Sequence, residues 1–277
     1  MTATQQTDQR AEWGIDYRRR FSLHRTLLGV LGVIVFGYTV YLFAAGNLQW
    51  SRTFAYIFDY RILTGVGYTL LYSFLAMLIG VAGGALLSIG LVSRNPVWKI
   101  LAKGYVALFR ALPLIILLLI FYNIAIFLPV VNLGFIQINV NSVVTPFLAA
   151  VLGLALHEAA YMAEIIRAGV NGVDRGQSQA AESVGMTYWQ SLRWVVFPQA
   201  MRLIIPPTAN QFISMLKNTS LVVVIAGNDL LTVAKKLYSN NFLTMELLFV
   251  AAIWYLVMVL IFSWISGIIE RRFSRGI

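Results

Sequence analysis

Six long runs of apolar residues constrain the fold of this chain more than any other feature. An α-helix needs about 20 apolar residues to cross the hydrocarbon core of a bilayer. In lipid, only helices and closed barrels satisfy every backbone polar group. The runs therefore predict an all-α integral membrane protein with about six transmembrane helices. They lie at about residues 27–45, 64–92, 104–128, 146–166, 197–227 and 247–268.

Composition excludes the other broad classes. Hydrophobic residues make up 59% of the chain and charged residues 12%, whereas a soluble domain carries about 25% charged residues. The net charge of +10 does not indicate nucleic-acid binding, because the basic residues flank the apolar runs. The chain has no cysteine and two histidines, His24 and His157, which are too few and too far apart to predict a metal site.

The distribution of lysine and arginine predicts the topology. With the N-terminus in the cytoplasm, 15 of the 21 basic residues flank the inner ends of the runs and 4 flank the outer ends. The positive-inside rule then places both termini in the cytoplasm. No small-residue cleavage site follows the first run, which therefore predicts a retained signal anchor.

The fifth run differs from the others because it contains three prolines, Pro198, Pro206 and Pro207. Proline removes a backbone donor and clashes with the preceding turn, so a kink or break is expected there. Such backbone is tolerated at membrane depth only where protein or a cavity satisfies it.

The segment between the fourth and fifth runs has a helical pattern of its own. Apolar residues recur there at spacings of three and four, at Ala181, Val184, Tyr188 and Leu192, which predicts a short amphipathic helical pair. A helix resting on lipid is one interpretation, but such helices are rich in Lys and Arg. The helical pair has few basic residues, Arg175 and Arg193 at its edges. Docking into a groove on another protein is therefore favoured over resting on lipid.

This segment resembles the signature of binding-protein-dependent ABC importer permeases, which reads E-A-A, three residues, G, nine residues, I, one residue, L-P. The corresponding residues have the same spacing, with Gln for Glu, Val for Ile and Phe for Leu. They are Gln179-Ala180-Ala181, Gly185, Val195 and Phe197-Pro198. Four further segments are similar to those of the polar amino-acid subfamily: Phe109–Leu114, Ala160–Arg167, Pro198–Arg202 and Lys217–Leu221.

The resemblance implies a type I (MetI-like) permease core at about 59–270, in the bacterial inner membrane. An extra N-terminal transmembrane helix with an outer loop would occupy 27–58, and cytoplasmic tails would occupy 1–26 and 271–277. A coupling loop at about 167–196 would contact the ATPase through Gln179, Ala180, Ala181, Glu182 and Gly185.

The resemblance also implies the partners. Such permeases import amino acids such as histidine, glutamine, glutamate and arginine, and they work as homodimers or heterodimers. Two ATP-binding subunits and an external solute-binding protein complete the assembly. The chain contains no Gly-Lys pair, so it has no P-loop. No cofactor is expected in this chain, and ATP and Mg would be bound by the partner ATPase subunits. No catalytic constellation is visible, so an enzyme is not expected.

Polar residues within the runs mark candidates for a substrate path, because an ionisable group in a membrane requires a partner or a water-filled cavity. Glu158 and Lys217 are open to two interpretations: an internal ion pair that locks helices together, or separate sites for the two charges of an amino acid. Arg110 can reach the inner interface through its long stem. An ion-coupled secondary transporter, with His157 and Glu158 as relay groups, is the alternative function. The candidates are Arg110, His157, Glu158, Tyr161, Asn210, Ser214 and Lys217.

Overall fold

The computed structural model describes residues 23–46, 48–132, 134 and 137–273, so most of the expected N-terminal tail and residues 274–277 lie outside the described residues. The chain divides into two units between Leu48 and Gln49. Within the first unit, the described residues form helix α1 (Leu23–Ala45).

The second unit is built from helices of very unequal length and one small antiparallel hairpin, in which Val131 lies opposite Ile138. Its elements are α2 (Trp50–Ile57), α3 (Tyr60–Val92), α4 (Pro96–Ala111), α5 (Leu114–Tyr122), a 3-10 turn (Ile124–Ile126), β1 (Val130–Asn132), β2 (Gln137–Asn139), α6 (Val140–Val143), α7 (Pro146–Asn171), α8 (Arg175–Ser183), α9 (Tyr188–Ser191), a π-helical turn (Leu192–Val196), α10 (Phe197–Asn218), a 3-10 segment (Thr219–Ile225), α11 (Leu230–Asn241) and α12 (Thr244–Phe273).

Among the described residues, three helices are long and apolar enough to cross a membrane: α3, α7 and α12. They correspond to the second, fourth and sixth predicted spans. The pair α4 and α5 makes a fourth span if it is counted as one. The count of six therefore stays a prediction, since the described residues supply three such helices, or up to four spans with the bent pair.

The third predicted span is not one continuous helix. Helices α4 and α5 meet at an angle of 103°, and the break falls at Leu112 and Pro113. Leu112 has extended backbone, with φ −82° and ψ 134°, because the ring of Pro113 disfavours the helical conformation of the preceding residue. The continuous helix expected over 104–128 was wrong because it ignored this proline.

The fifth run was expected to kink or break at its prolines, but its helix continues through two of them. Helix α10 is not interrupted at Pro206 and Pro207, both of which lie inside it. The change of structure comes instead at Thr219, where the α-helix gives way to the 3-10 segment. The helix is therefore not broken at these two prolines, and a kink, the other expected outcome, stays a prediction.

Helices α3 and α7 form the centre of the unit, and small residues let them approach closely. A Cβ atom at Gly84 would lie 2.5 Å from Cβ of Met162, and one at Gly80 would lie 2.7 Å from Cγ of Glu158. Buried residues of α5, α10 and the 3-10 segment complete one apolar cluster around them, which includes Tyr72 and Leu154. This packing fixes the helices that surround the candidate site.

Candidate functional site

A polar cavity of about 500 Å³ lies at the bend between α4 and α5. The bend brings the C-terminal end of α4 and the first residue of α5 to one wall, while α7 and α10 form the others. The lining residues are Arg110, Ala111, Leu112, Pro113, Leu114, His157, Tyr161, Gln211, Ser214 and Asn218. Four of the seven candidates from the sequence line this cavity: Arg110, His157, Tyr161 and Ser214.

Three of these side chains lie next to one another along one wall. The rings of His157 and Tyr161 have centroids 4.9 Å apart, as expected for residues four positions apart on α7. The guanidinium carbon of Arg110 lies 5.2 Å from the centroid of the Tyr161 ring, which is within the range of a cation–π contact. Arg110 therefore faces the cavity at the helix bend, and Tyr161 holds it there.

Glu158 lies behind the cavity wall and is fully buried. Gln211 Nε2 donates a hydrogen bond to Glu158 Oε2 over 3.2 Å, so the amide of Gln211 separates the carboxylate from the cavity. Within the described residues, neither Glu158 Oε1 nor Nδ1 of the buried His157 has a hydrogen-bond partner. A buried polar atom without a partner is costly, so these two atoms are candidates for contact with a polar ligand or water.

The remaining two candidates lie elsewhere. Asn210 donates to Glu270 Oε1 over 3.2 Å, so it faces α12. Lys217 is exposed and is not among the residues that line the cavity. Because Gln211 is the partner of Glu158, the structure does not form the Glu158–Lys217 pair that was one interpretation of the sequence.

Gln211 and Asn218 are cavity residues that the sequence analysis missed. Positions 211, 214 and 218 are spaced by three and four and share one face of α10, as do positions 210, 214 and 217. Both faces carry polar residues, so the pattern alone did not distinguish them. Because Ser214 belongs to both faces, the error amounts to a rotation of roughly 70° about α10, less than one residue.

The loop that connects α7 and α10, residues 172–196, is a second candidate site. Helix α8 ends in a Schellman motif: the N–H of Gly185 donates to Glu182 O over 3.0 Å, and that of Met186 donates to Ala181 O over 3.1 Å. Gly185 has φ +82°, a conformation that costs other residues free energy. The glycine of the signature therefore ends α8 and turns the chain towards α9.

This α7–α10 loop presents most of its signature residues to its surroundings. Gln179, Ala180, Glu182 and Gly185 are exposed, whereas Ala181 is buried. Val184, Tyr188 and Trp189 are also exposed, at 76%, 66% and 74%. Of the predicted apolar stripe, only Ala181 is buried, so the loop has an uncovered apolar surface beside its polar residues.

Asp174 and Gln199 position the loop. The Asp174 carboxylate caps α8 by accepting the N–H of Gly176 over 2.6 Å, and Gln199 Nε2 of α10 donates to Gln177 Oε1 over 3.1 Å. A capping box between Thr187 and Gln190 begins α9. Two short helices are thus connected to the long helices α7 and α10, which also line the cavity.

Comparison with known proteins identifies the same family in the family model and in the similar sequences. Residues 80–275 match the model of the family described as "Binding-protein-dependent transport system inner membrane component". An arginine transport system permease protein of Corynebacterium glutamicum is 40% identical over 229 residues, which cover 82% of this chain and 72% of that protein. A glutamate/aspartate import permease protein of Escherichia coli is 34% identical over 215 residues, covering 76% of this chain and 92% of the relative.

Solved structures of similar proteins have the same fold. An amino acid ABC transporter crystallised with histidines is 37% identical, with a TM-score of 0.69 over 76% of this chain and 94% of that chain. A bacterial ABC transporter involved in the import of the acidic polysaccharide alginate is 15% identical, with a TM-score of 0.63 over 95% of this chain and 99% of that chain. At that identity, the second likeness concerns the fold alone.

Proposed function

The chain belongs to the family of binding-protein-dependent transport system inner membrane components, and from that premise we propose that it is the permease subunit of an ATP-driven importer of polar amino acids. It is a transport component of an ABC importer rather than an enzyme. The relatives described above include permeases for arginine and for glutamate and aspartate. These names support an amino acid as the substrate.

The observation that carries the substrate class is the combination of an arginine that lines the cavity with a carboxylate buried behind its wall. Arg110 lines the cavity, and the Glu158 carboxylate lies behind Gln211, which bonds it over 3.2 Å. A zwitterionic amino acid needs a cation for its carboxylate and an anion for its ammonium group. In this proposal Arg110 binds the carboxylate, and displacement of the Gln211 amide lets Glu158 bind the ammonium group.

Ser214 and Asn218 complete the proposed path on α10, while His157 and Tyr161 form the facing wall on α7. Hydroxyl and amide groups can donate or accept hydrogen bonds as the substrate moves. The path in this proposal consists of Arg110, His157, Glu158, Tyr161, Gln211, Ser214 and Asn218, and it leaves Asn210 and Lys217 outside.

Energy comes from other chains in this proposal. The α7–α10 loop is the coupling loop, and a separate ATPase subunit contacts it through Gln179, Ala180, Glu182 and Gly185. Their exposure, together with that of Tyr188 and Trp189, supports such a contact. Two ATPase subunits bind ATP and Mg, a second permease subunit completes the path, and an external solute-binding protein delivers the substrate.

The proposed orientation places the coupling loop and both termini in the cytoplasm, within the bacterial inner membrane. It is supported by the excess of basic residues at that side, 15 against 4, since basic residues are retained on the cytoplasmic side during insertion. An ion-coupled transporter is disfavoured because the relatives are components of ABC importers.

Reconstitution tests the proposed function. The chain is placed in proteoliposomes with its ATPase and solute-binding protein, and uptake of labelled amino acids is measured while ionophores collapse all ion gradients. We expect uptake that requires hydrolysable ATP and continues without an ion gradient. Uptake that continues without nucleotide and stops when the gradient is collapsed would overturn the assignment and favour the ion-coupled alternative.

A further inference from the structure

The turn between the 3-10 segment and α11, residues 226–229, has an unusual backbone. Ala226 and Asn228 are not glycines, yet they have φ values of 55° and 62°. Such conformations cost free energy and persist only where the surroundings impose them, most often at functional and switch sites. Gly227 between them has no room for a side chain, because an added Cβ atom would lie 2.2 Å from Cγ1 of Val222.

Helix α3 holds one side of this turn. The hydroxyl of Tyr72, which is 1% exposed, donates a hydrogen bond to the carbonyl oxygen of Gly227. Three residues earlier on α3, Thr69 Oγ1 accepts the N–H of Leu230 over 3.1 Å. The two contacts satisfy backbone groups that would otherwise be buried without partners.

Asp229 holds the other side. Its carboxylate is fully buried, and it accepts the N–H of Leu231 over 3.0 Å and the hydroxyl of Thr232. From α12, the Tyr255 hydroxyl lies 3.5 Å from Asp229 Oδ2. Burial raises the pKa of the Asp229 carboxyl, against the lowering effect of Thr232 and the backbone N–H groups. One acidic side chain thus joins the start of α11 to α12.

The turn is connected to the cavity through the 3-10 segment. Asn218 lines the cavity, the 3-10 segment begins at the next residue, and seven residues later the turn begins. A 3-10 run longer than about three or four residues is uncommon and often marks a hinge. Within the apolar cluster, Val222 and Ile225 of this segment pack with Leu114 and Leu118 of α5, and Leu114 also lines the cavity.

We propose that Asp229 is a positioning residue which, with the hydroxyls of Tyr72 and Tyr255, holds the 3-10 segment 219–225 as a gate at the outer end of the cavity. These three residues form the latch. The gate closes the cavity while the latch is intact and opens towards the exterior when the turn moves away from α3 and α12. This inference rests on the proposed function and its orientation, in which Lys235 and Lys236 on α11 lie outside.

The chemistry of the latch is compatible with both a closed and an open state of the gate. The strained turn stores free energy that its hydrogen bonds offset, so release of the bonds is accompanied by relaxation of Ala226 and Asn228. When the latch opens, its hydroxyl and carboxylate groups can form hydrogen bonds with water instead of with each other and the turn. This exchange lowers the free energy of the open state. An entirely apolar contact of the same size would offer no such exchange.

Thiol labelling tests the latch, because the chain has no cysteine of its own. A single cysteine is introduced as Asn218→Cys, and the assembled transporter in proteoliposomes is treated from outside with a membrane-impermeant thiol reagent. Tyr72→Phe and Tyr255→Phe each remove one hydroxyl and keep the ring. Since a typical hydrogen bond contributes about 1 kcal/mol, we expect each variant to raise the labelling rate about fivefold.

Two controls separate a gate from general loosening. Tyr105→Phe removes a tyrosine hydroxyl that likewise donates to a backbone carbonyl, that of Leu156, over 2.9 Å, but away from the latch. It should leave labelling of Asn218→Cys unchanged. Labelling of Ser239→Cys, at an exposed position on α11, should be equally fast in every variant.

The results distinguish the latch from the proposed function. Equal labelling of Asn218→Cys with and without the latch hydroxyls, or the same acceleration by Tyr105→Phe, would overturn the latch. Labelling does not require transport, so an absence of ATP-driven uptake in the unmodified protein would count against the proposed function and leave the labelling result readable.

Discussion

The burial and incomplete hydrogen bonding of Glu158 are the strongest residue-level indication of a role in transport. An ionised group at the centre of a membrane helix costs about 2.5–3.5 kcal/mol on insertion scales, and Gln211 bonds only one of its two oxygens. His157 beside it is also buried, with Nδ1 unpaired among the described residues. Both are adjacent to the cavity, so the cost is accounted for if Glu158 serves the substrate.

Replacing Glu158 by glutamine tests that role. Glu158→Gln keeps the shape of the side chain and an oxygen that accepts from Gln211, but it removes the charge that we propose binds an ammonium group. Since a hydrogen bond to a charged group contributes about 1.5–3 kcal/mol, we expect uptake at low substrate concentration to fall about 10-fold or more. The measurement is the initial rate of uptake against amino-acid concentration.

Glu164→Gln is the matched control on the same helix. Glu164 pairs with Arg167 over 2.6 Å and does not line the cavity. Since the pair is partly exposed and its residues are three positions apart on a helix, its loss should cost only a few tenths of a kcal/mol. Unchanged uptake kinetics for Glu158→Gln would contradict its role in substrate binding.

Gly185 provides the second prediction at this scale. Gly185→Ala places a Cβ atom in a left-handed conformation, which costs about 1–2 kcal/mol, although no neighbouring atom lies within 4 Å. The end of α8 should therefore be displaced, and less substrate should be transported for each ATP hydrolysed. Gly104→Ala, also without a neighbour within 4 Å but inside a helix, should transport normally. The same amount of substrate transported per ATP in both variants would show that coupling does not require the Gly185 turn.

At the scale of elements, the apolar runs predicted that a helix is present better than they predicted whether that helix is continuous. The runs at 64–92, 146–166 and 247–268 became the long helices α3, α7 and α12. Proline effects were harder to predict: Pro113 produces the bend of 103° between α4 and α5, whereas Pro206 and Pro207 lie within continuous α10. Neighbouring helices decide whether a proline breaks a helix, and the sequence does not specify those neighbours.

Gly80 provides a test of how α3 and α7 pack. In Gly80→Ala the new methyl carbon would lie 2.7 Å from Cγ of Glu158, so the helices must separate or Glu158 must move. Overpacking of this kind costs about 1–3 kcal/mol. We expect a lower Tm for the detergent-solubilised protein, and impaired uptake. Gly67→Ala on the same helix has no neighbour within 4 Å, so its Tm should not fall; an equal fall in both would contradict the close contact.

At the scale of the whole molecule, the sequence indicated an all-α membrane protein and the loop that carries the family signature. It could not show which distant residues meet. Tyr72 and Gly227 are 155 positions apart and form one hydrogen bond, and Glu158 bonds Gln211, 53 positions away. Such contacts depend on how long helices are rotated about their axes, and a rotation of less than one residue exchanges the polar faces of α10.

The orientation of the chain can be measured with the same cysteine-free background. Ser239→Cys on α11 should react with an impermeant thiol reagent added to intact spheroplasts, because the excess of basic residues lies on the opposite side of the membrane, and that side is the cytoplasmic one. Ser183→Cys, exposed at the end of α8, should react only after the membrane is permeabilised. The reverse pattern would show that the topology is inverted.

In the proposed function, a separate ATPase drives this chain by contacting the exposed α7–α10 loop. The most direct test of this contact is the labelling rate of a single cysteine introduced as Gln179→Cys, in inside-out membranes with and without the partner ATPase. We predict that labelling is fast for the permease alone, slows at least tenfold when the ATPase assembles, and recovers when the ATPase is stripped away. Labelling at the same rate in the assembled, transport-active complex would show that the ATPase does not contact this loop.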